Sequence, residues 1–247
     1  MNKLYNRPPS TGGACRLFSP RLLKDFPLEA FESMDHGYGW KTDFLTLPTG
    51  EWTVTQATAG TFALGDAARG VALLDCDSST VAQGANVQLG GTAGETILPA
   101  AGKIIIVSAR LKFVDTASGP EFFFGLHETD TSIIAASALS GSNYVGFSSI
   151  TDDKVLLACG AKAAAADTNT GTTMVEDTYA LLEMKIIGVT KVEFFVDGVY
   201  LGSASDLATA NIPIVEIRPS FVCQSDGAVD TIVHIDTFGF WVYDPVV

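Results

Sequence analysis

Residues 191–203 read KVEFFVDGVYLGS. Asp197-Gly198, set between two apolar runs, is the strongest short-range signal for a β-hairpin that a sequence carries. Folding the strands on that turn pairs Val196 with Val199, Phe194 with Leu201 and Val192 with Ser203 on one face. Phe195 meets Tyr200 on the other face, with Glu193 and Gly202 beside them. The first face reads as core. The second can brace its own hairpin, since a cross-strand aromatic pair is worth roughly 0.2–1 kcal/mol. It can also meet a partner subunit, the chain's own N-terminal arm, or a sugar.

Working outward, the β texture continues on both sides. GKIIIVSARLKFVD is the longest strand signal, with Ile105, Val107, Ala109, Leu111 and Phe113 on one face. YALLEMKIIG repeats the alternation, with Ala180, Leu182, Met184 and Ile186 on one face and Glu183 and Lys185 on the other. EWTVTQATAGTFAL, PEFFFGLHE, NYVGFSSI, KVLLACG and TIVHIDTFGFWVY add further strands. Residues 160–173, GAKAAAADTNTGTT, read as a small-residue loop with a helical turn, and residues 205–213 as an irregular connector. About a dozen strands with frequent turns and little helix predict an antiparallel sandwich or barrel.

Residues 1–37 differ in texture. Pro8-Pro9, Gly12-Gly13, Pro20 and Pro27 break regular structure repeatedly. The chain divides into an N-terminal arm, 1–37, and one β domain, 38–247. The net charge of −13 is unevenly spread: Lys3, Arg7, Arg16, Arg21 and Lys24 precede the first acid, so the first 24 residues carry +5 and the remainder −18. An acidic body is a poor fit to phosphate and argues against nucleic acid as a partner. The basic arm is a candidate partner-binding segment. No apolar run approaches the length of a membrane span, and the N-terminus lacks the continuous apolar segment of a secretory signal.

Cys15, Cys76, Cys159 and Cys223 include no Cys-x-x-Cys spacing, and three of them follow apolar runs. They read as small buried hydrophobes, with no disulfide expected. Asp75, Asp77 and Ser79 alternate in DCDSST but lack the Gly and Glu of a calcium loop, so no metal or other cofactor is expected. A retaining glycosidase needs two carboxylates about 5–5.5 Å apart. Glu121 and Glu128 lie seven residues apart and would face opposite sides of one strand. His36, His127 and His234 form no metal-binding spacing, and Gly-x-Ser-x-Gly is absent. Trp40, Trp52 and Trp241 are candidate sugar platforms that read more naturally as core.

The string VEFFVDGVYLGS, then IPIVEIRPSFVCQSDGAVD, then TIVHIDTFGFWVY resembles the C-terminal half of concanavalin A-like jelly rolls. Upstream, WTVTQATAGTFAL, GVALLDCDS and PEFFFGLHETDTS look like the versions of this sandwich found in virion proteins of tailed bacteriophages. The resemblance covers residues 38–243. It implies an all-β, antiparallel two-sheet jelly-roll sandwich preceded by an irregular arm. It also implies a capsid decoration or head-stabilising protein that is not an enzyme, assembled in the host cytoplasm and carried in the virion. Its expected partners are the major capsid protein or another virion protein and further copies of itself, a trimer being common. The expected partner-binding residues are Lys3, Arg7, Arg16, Arg21, Lys24, Phe195 and Tyr200. The same fold serves lectins and glycoside hydrolases, so binding of a host glycan is the alternative and hydrolysis the third reading.

Overall fold

The computed structural model describes residues 18–19, 22–23, 37–47, 50–56, 60–65, 70–76, 83–90, 96–114, 120–150, 154–163, 165–204, 206–225 and 231–244. In chain order the strands are β1 (Gly37–Thr42), β2 (Trp52–Gln56), β3 (Thr61–Leu64), β4 (Ala72–Asp75), β5 (Gly84–Leu89), β6 (Ile104–Val114) and β7 (Glu121–His127). They continue as β8 (Ile134–Ala135), β9 (Ala138–Leu139), β10 (Asn143–Ser149), β11 (Val155–Lys162), β12 (Ala165–Thr173) and β13 (Ala180–Ile187). The last four are β14 (Lys191–Val196), β15 (Val199–Tyr200), β16 (Arg218–Gln224) and β17 (Ile232–Tyr243).

Two large antiparallel sheets face each other. The first runs β15-β14-β13-β6-β17-β4-β3, with β1 also paired to β17, and the second runs β12-β11-β10-β7-β16-β5-β2. The 12 residues of β17 lie along β6 on one edge; its first half pairs with β4 and its second half with β1 on the other. This closing strand, rather than β6 with its 11 residues, is the longest. The inward residues of both sheets form one apolar core. Ile105, Val107, Ala109, Leu111 and Phe113 of β6 meet Phe122, Phe124 and Leu126 of β7 there, as period-2 alternation requires. Phe124, Phe221 and Phe238 link the sheets through ring contacts of 5.0–6.3 Å.

The opening hairpin forms in the expected register, with Val196 opposite Val199 and Phe195 opposite Tyr200. Asp197 and Gly198 have φ of 50° and 73°, as a two-residue turn with both central residues left-handed demands. Val199 nevertheless stands 59% exposed at the tip instead of helping to hold the core. Two other expectations are corrected. Residues 165–173 form edge strand β12 on β11, not a loop, because the edge of a sheet accepts small residues that pack little. Glu183 and Lys185, on the outward face of β13, are buried (0% and 4% exposed) because a further layer covers that face.

Candidate functional site

Each sheet carries a segment of the same chain on its outer side. On the first sheet the cover comes from the arm. Phe18 and Leu22 are buried against Ile106 and Phe195, with Leu23, Ile104, Tyr200, Trp241 and Tyr243 around them. The segment makes one tight turn, in which Leu23 N–H donates to Ser19 O at 3.2 Å and Leu22 N–H to Ser19 Oγ at 3.2 Å. Ser19 N–H donates to Glu183 Oε1 at 2.6 Å, 164 residues away in sequence. Glu183 Oε2 completes no hydrogen bond among the described residues, although the Gly198 amide lies close enough to favour its charge. Burial outweighs these donors and pushes the Glu183 carboxyl up to about 7.

The aromatic pair of the hairpin is therefore a floor for the chain's own arm. Phe195 is buried, 5.5 Å from the Tyr200 ring. Tyr200 Oη donates to Asp206 Oδ2 at 2.7 Å, and Lys191 bridges Glu193 and Asp206 at 2.8 and 3.1 Å. Burial and the Asp206 acceptor together hold the Tyr200 hydroxyl up at about 12. Lys3, Arg7, Arg16, Arg21 and Lys24 lie outside the described residues, as do Cys15, His36, Asp77 and Ser79.

On the second sheet the cover is the 128–142 segment, which contains the small β8–β9 ladder. Ile133 and Ile134 pack on Phe123, Tyr144 and Val222, which point outward from β7, β10 and β16. Side chains of the sheet pin the segment's backbone. Gln88 Nε2 donates to Glu128 O at 3.0 Å, Gln88 Oε1 accepts from Asp130 N–H at 3.0 Å, and Asn86 Nδ2 donates to Asp130 O at 2.9 Å. The ring of His127 lies between Glu128 O (2.8 Å) and Ser140 O (2.9 Å) and stacks on Tyr144 with centroids 5.6 Å apart. This histidine is thus structural.

Where sheet and cover part, a cavity of about 170 Å³ opens between Thr55, Asn86, Val222 and Gln224 on one side and Thr131–Ile134 on the other. Asn86 is 8% exposed, and its Oδ1 has no hydrogen-bond partner among the described residues. Gln224 Nε2 donates to Glu121 Oε2 at 2.9 Å, so the carboxylate of Glu121 sits buried just behind the lining. Glu128 is at the far end of β7, where Asn143 Nδ2 donates to it at 2.9 Å. Desolvation raises its pKa, but the bonds from Asn143 and Ser142 outweigh that and hold it below the usual range. At about 3.3 Å per residue, the strand separates Glu121 and Glu128 by roughly 23 Å. Trp52 is core, packed 5.7 Å from Trp40, and Trp241 lies under the arm segment. Among the described residues no group of three or more His, Cys, Asp or Glu could hold a metal ion, and no helix is long and apolar enough to cross a membrane.

Sequence reasoning offered the arm as one of several occupants of the Phe195 and Tyr200 face without locating the segment, and it missed the second cover. The only signal for the first was Phe18, Leu22 and Leu23 in a basic, Pro-broken stretch. Gln88 and Asn86, pointing outward from a β-strand, gave no hint of their role.

No family model matches the chain, and no curated protein does. Solved structures of the same architecture do. Peanut lectin, solved with a nine-residue peptide, is similar at 13% identity over 83% of this chain and 97% of that one, with a TM-score of 0.55. An endo-1,3-β-glucanase from Streptomyces sioyaensis matches at 12% identity over 86% and 99%, with a TM-score of 0.55. The CBM2 module of the evolved Dit of Lactobacillus casei BL23 phage J-1 matches at 14% identity over 83% and 96%, with a TM-score of 0.51. The fold is the concanavalin A-like jelly roll. The expectation that the chain is not an enzyme is corrected here. Glucan hydrolases share this sandwich across nearly their whole length, so the fold does not mark the chain as a non-enzyme.

Proposed function

We propose that this chain is a structural protein of a tailed-phage particle, of the capsid-decorating kind, attached through its basic N-terminal arm. The observation that carries this reading is the seating of Phe18, Ser19, Leu22 and Leu23 on the first sheet. A segment clamped there makes the arm a part of the body at its root, so that a pull on residues 1–17 is borne by the sandwich. The five cations of the arm against an acidic body supply a pole of opposite charge for another protein's acidic surface. Occurrence of the same fold in a module of a phage J-1 protein supports a place in a virion. The partners in this reading are the major capsid protein or another virion protein and further copies of the chain, and assembly takes place in the host cytoplasm.

The test is deletion of residues 1–17, which keeps the clamp intact. Particles lacking the protein are mixed with either form and sedimented. Full-length chain should pellet with particles and the truncated chain should stay in solution. Equal binding of both forms would overturn the reading. Light scattering on the free protein reads its oligomeric state.

A second reading, carbohydrate binding, is favoured by the cavity beside Asn86. An unpartnered amide oxygen, a threonine and a serine hydroxyl, and the apolar flanks of Ile133 and Val222 suit the hydroxyls and C–H face of one sugar ring. A glycan array with hits that Asn86→Ala abolishes would support it; an array without hits would dismiss it.

A further inference from the structure

Three cysteines are described, all buried as free thiols. Cys159, in β11 of the second sheet, donates its Sγ–H to Gly146 O at 3.3 Å. Cys76 and Cys223 are different. Cys76 follows β4 of the first sheet and Cys223 lies in β16 of the second, yet both point at one carbonyl. Cys76 Sγ donates to Thr231 O at 3.1 Å, and Cys223 Sγ lies 3.8 Å from the same oxygen. Cys76 N–H also donates to Thr231 O at 3.1 Å, which fixes the Cys76 backbone at this corner. The two sheets thus close upon each other here, with both sulfurs on one acceptor.

We propose that Cys76 and Cys223 are a redox pair, which hydrogen peroxide converts into a disulfide joining the two sheets. Neither residue has the Cys-x-x-Cys spacing that marks such a pair in sequence, and only the fold brings them together. The thiols are also unlike in acidity. A hydrogen bond from Cys223 lowers the pKa of Cys76, while burial raises that of Cys223. That direction favours Cys76 as the attacking thiol and Cys223 as the resolving one, and the disulfide is the same if the two exchange roles.

In the first step the Cys76 thiolate attacks one oxygen of the peroxide; the O–O bond breaks, and hydroxide leaves to take up the thiol's proton as water. Cys76 is now a sulfenic acid. In the second step the Cys223 sulfur attacks the Cys76 sulfur, the S–O bond breaks, and a second water leaves with the Cys223 proton. Two thiols have lost two electrons, one peroxide has gained them, and two waters result. The oxidant is small and neutral, as it must be to reach sulfurs that are exposed only when the corner opens locally. The chain between the two residues spans most of the domain, so the bond closes a long loop of the unfolded state.

Full-length reduced protein is treated with a small excess of hydrogen peroxide, then alkylated after denaturation and digested without reductant. We expect two of the four thiols to be lost and a peptide joining Cys76 to Cys223 to appear. The thermal midpoint should rise by on the order of 10 °C and return with dithiothreitol. Cys159→Ala should react as the native chain does, whereas Cys76→Ala and Cys223→Ala should show no rise. The wild-type comparison of oxidised and reduced melts keeps the test independent of those variants. Thiol loss only as sulfinic or sulfonic acid, a cross-link between any other cysteines, or no loss below the unfolding temperature would each overturn the proposal.

Discussion

The substitution Glu183→Gln should remove a defined part of this protein's pH dependence. Glu183 is fully buried under the arm segment, and its carboxyl is raised from the ordinary 4.5 to about 7, chiefly by burial. A group whose folded pKa is raised contributes stability that is complete below its unfolded value and is lost as pH climbs to the folded one. The window here runs from about 4.5 to 7. Each pKa unit is worth about 1.4 kcal/mol, so the whole loss is on the order of 3 kcal/mol. The amide side chain of the variant would keep an acceptor for the Ser19 N–H and carry no charge. The variant should therefore match wild type near pH 4 and exceed it by about 2–3 kcal/mol at about pH 8. Urea denaturation of both forms across this range reads the difference, and other titrating groups such as His234 cancel in the comparison. Proteolysis near Phe18 and Leu22 tells whether the arm segment lifts before the body unfolds. A difference that stays flat with pH, or one that favours wild type at the alkaline end, would refute the reasoning.

Other perturbations have equally direct readouts. Phe195→Ala removes the ring on which Phe18 and Leu22 rest and should cost about 3–5 kcal/mol, with the arm cleaved early in limited proteolysis. Gly141 has φ of +81°, and an added Cβ would lie 2.6 Å from His127 Cε1. Gly141→Ala should therefore destabilise by at least about 1–2 kcal/mol, seen as a lowered denaturation midpoint. Gln88→Ala leaves Asp130 N–H without its sheet partner and Glu128 O with only the His127 ring beside it, a cost of about 1–3 kcal/mol. Amide exchange should show the 128–142 cover opening in that variant while the sheets stay protected.

The legible part of the fold was local. Alternation in residues 104–114 and 180–187 marked the core faces of β6 and β13, because successive side chains of a strand point to opposite sides. Asp197-Gly198 set both the turn and the register of its hairpin, because few dipeptides tolerate two left-handed residues. The 160–173 stretch misled because Ala, Gly and Thr carry little pattern, and an edge strand buries too little to need one.

The candidate sites lay beyond that reach. Glu183 and Lys185 look like solvent-facing residues in their own strand, yet both are buried, and Glu183 is reached by Ser19 of the arm segment, more than 150 residues earlier. Gln88 and Asn86 gain their role from a cover some 40 residues later. Cys76 and Cys223 meet only where the sheets close at Thr231. The sequence by itself determined strands, faces and turns, since those follow from the chemistry of neighbouring residues. What lies over each face, and which polar groups are thereby stripped of water, was decided by tertiary structure. Burial depends on every segment that packs against a residue, and a local pattern holds no record of the distant ones.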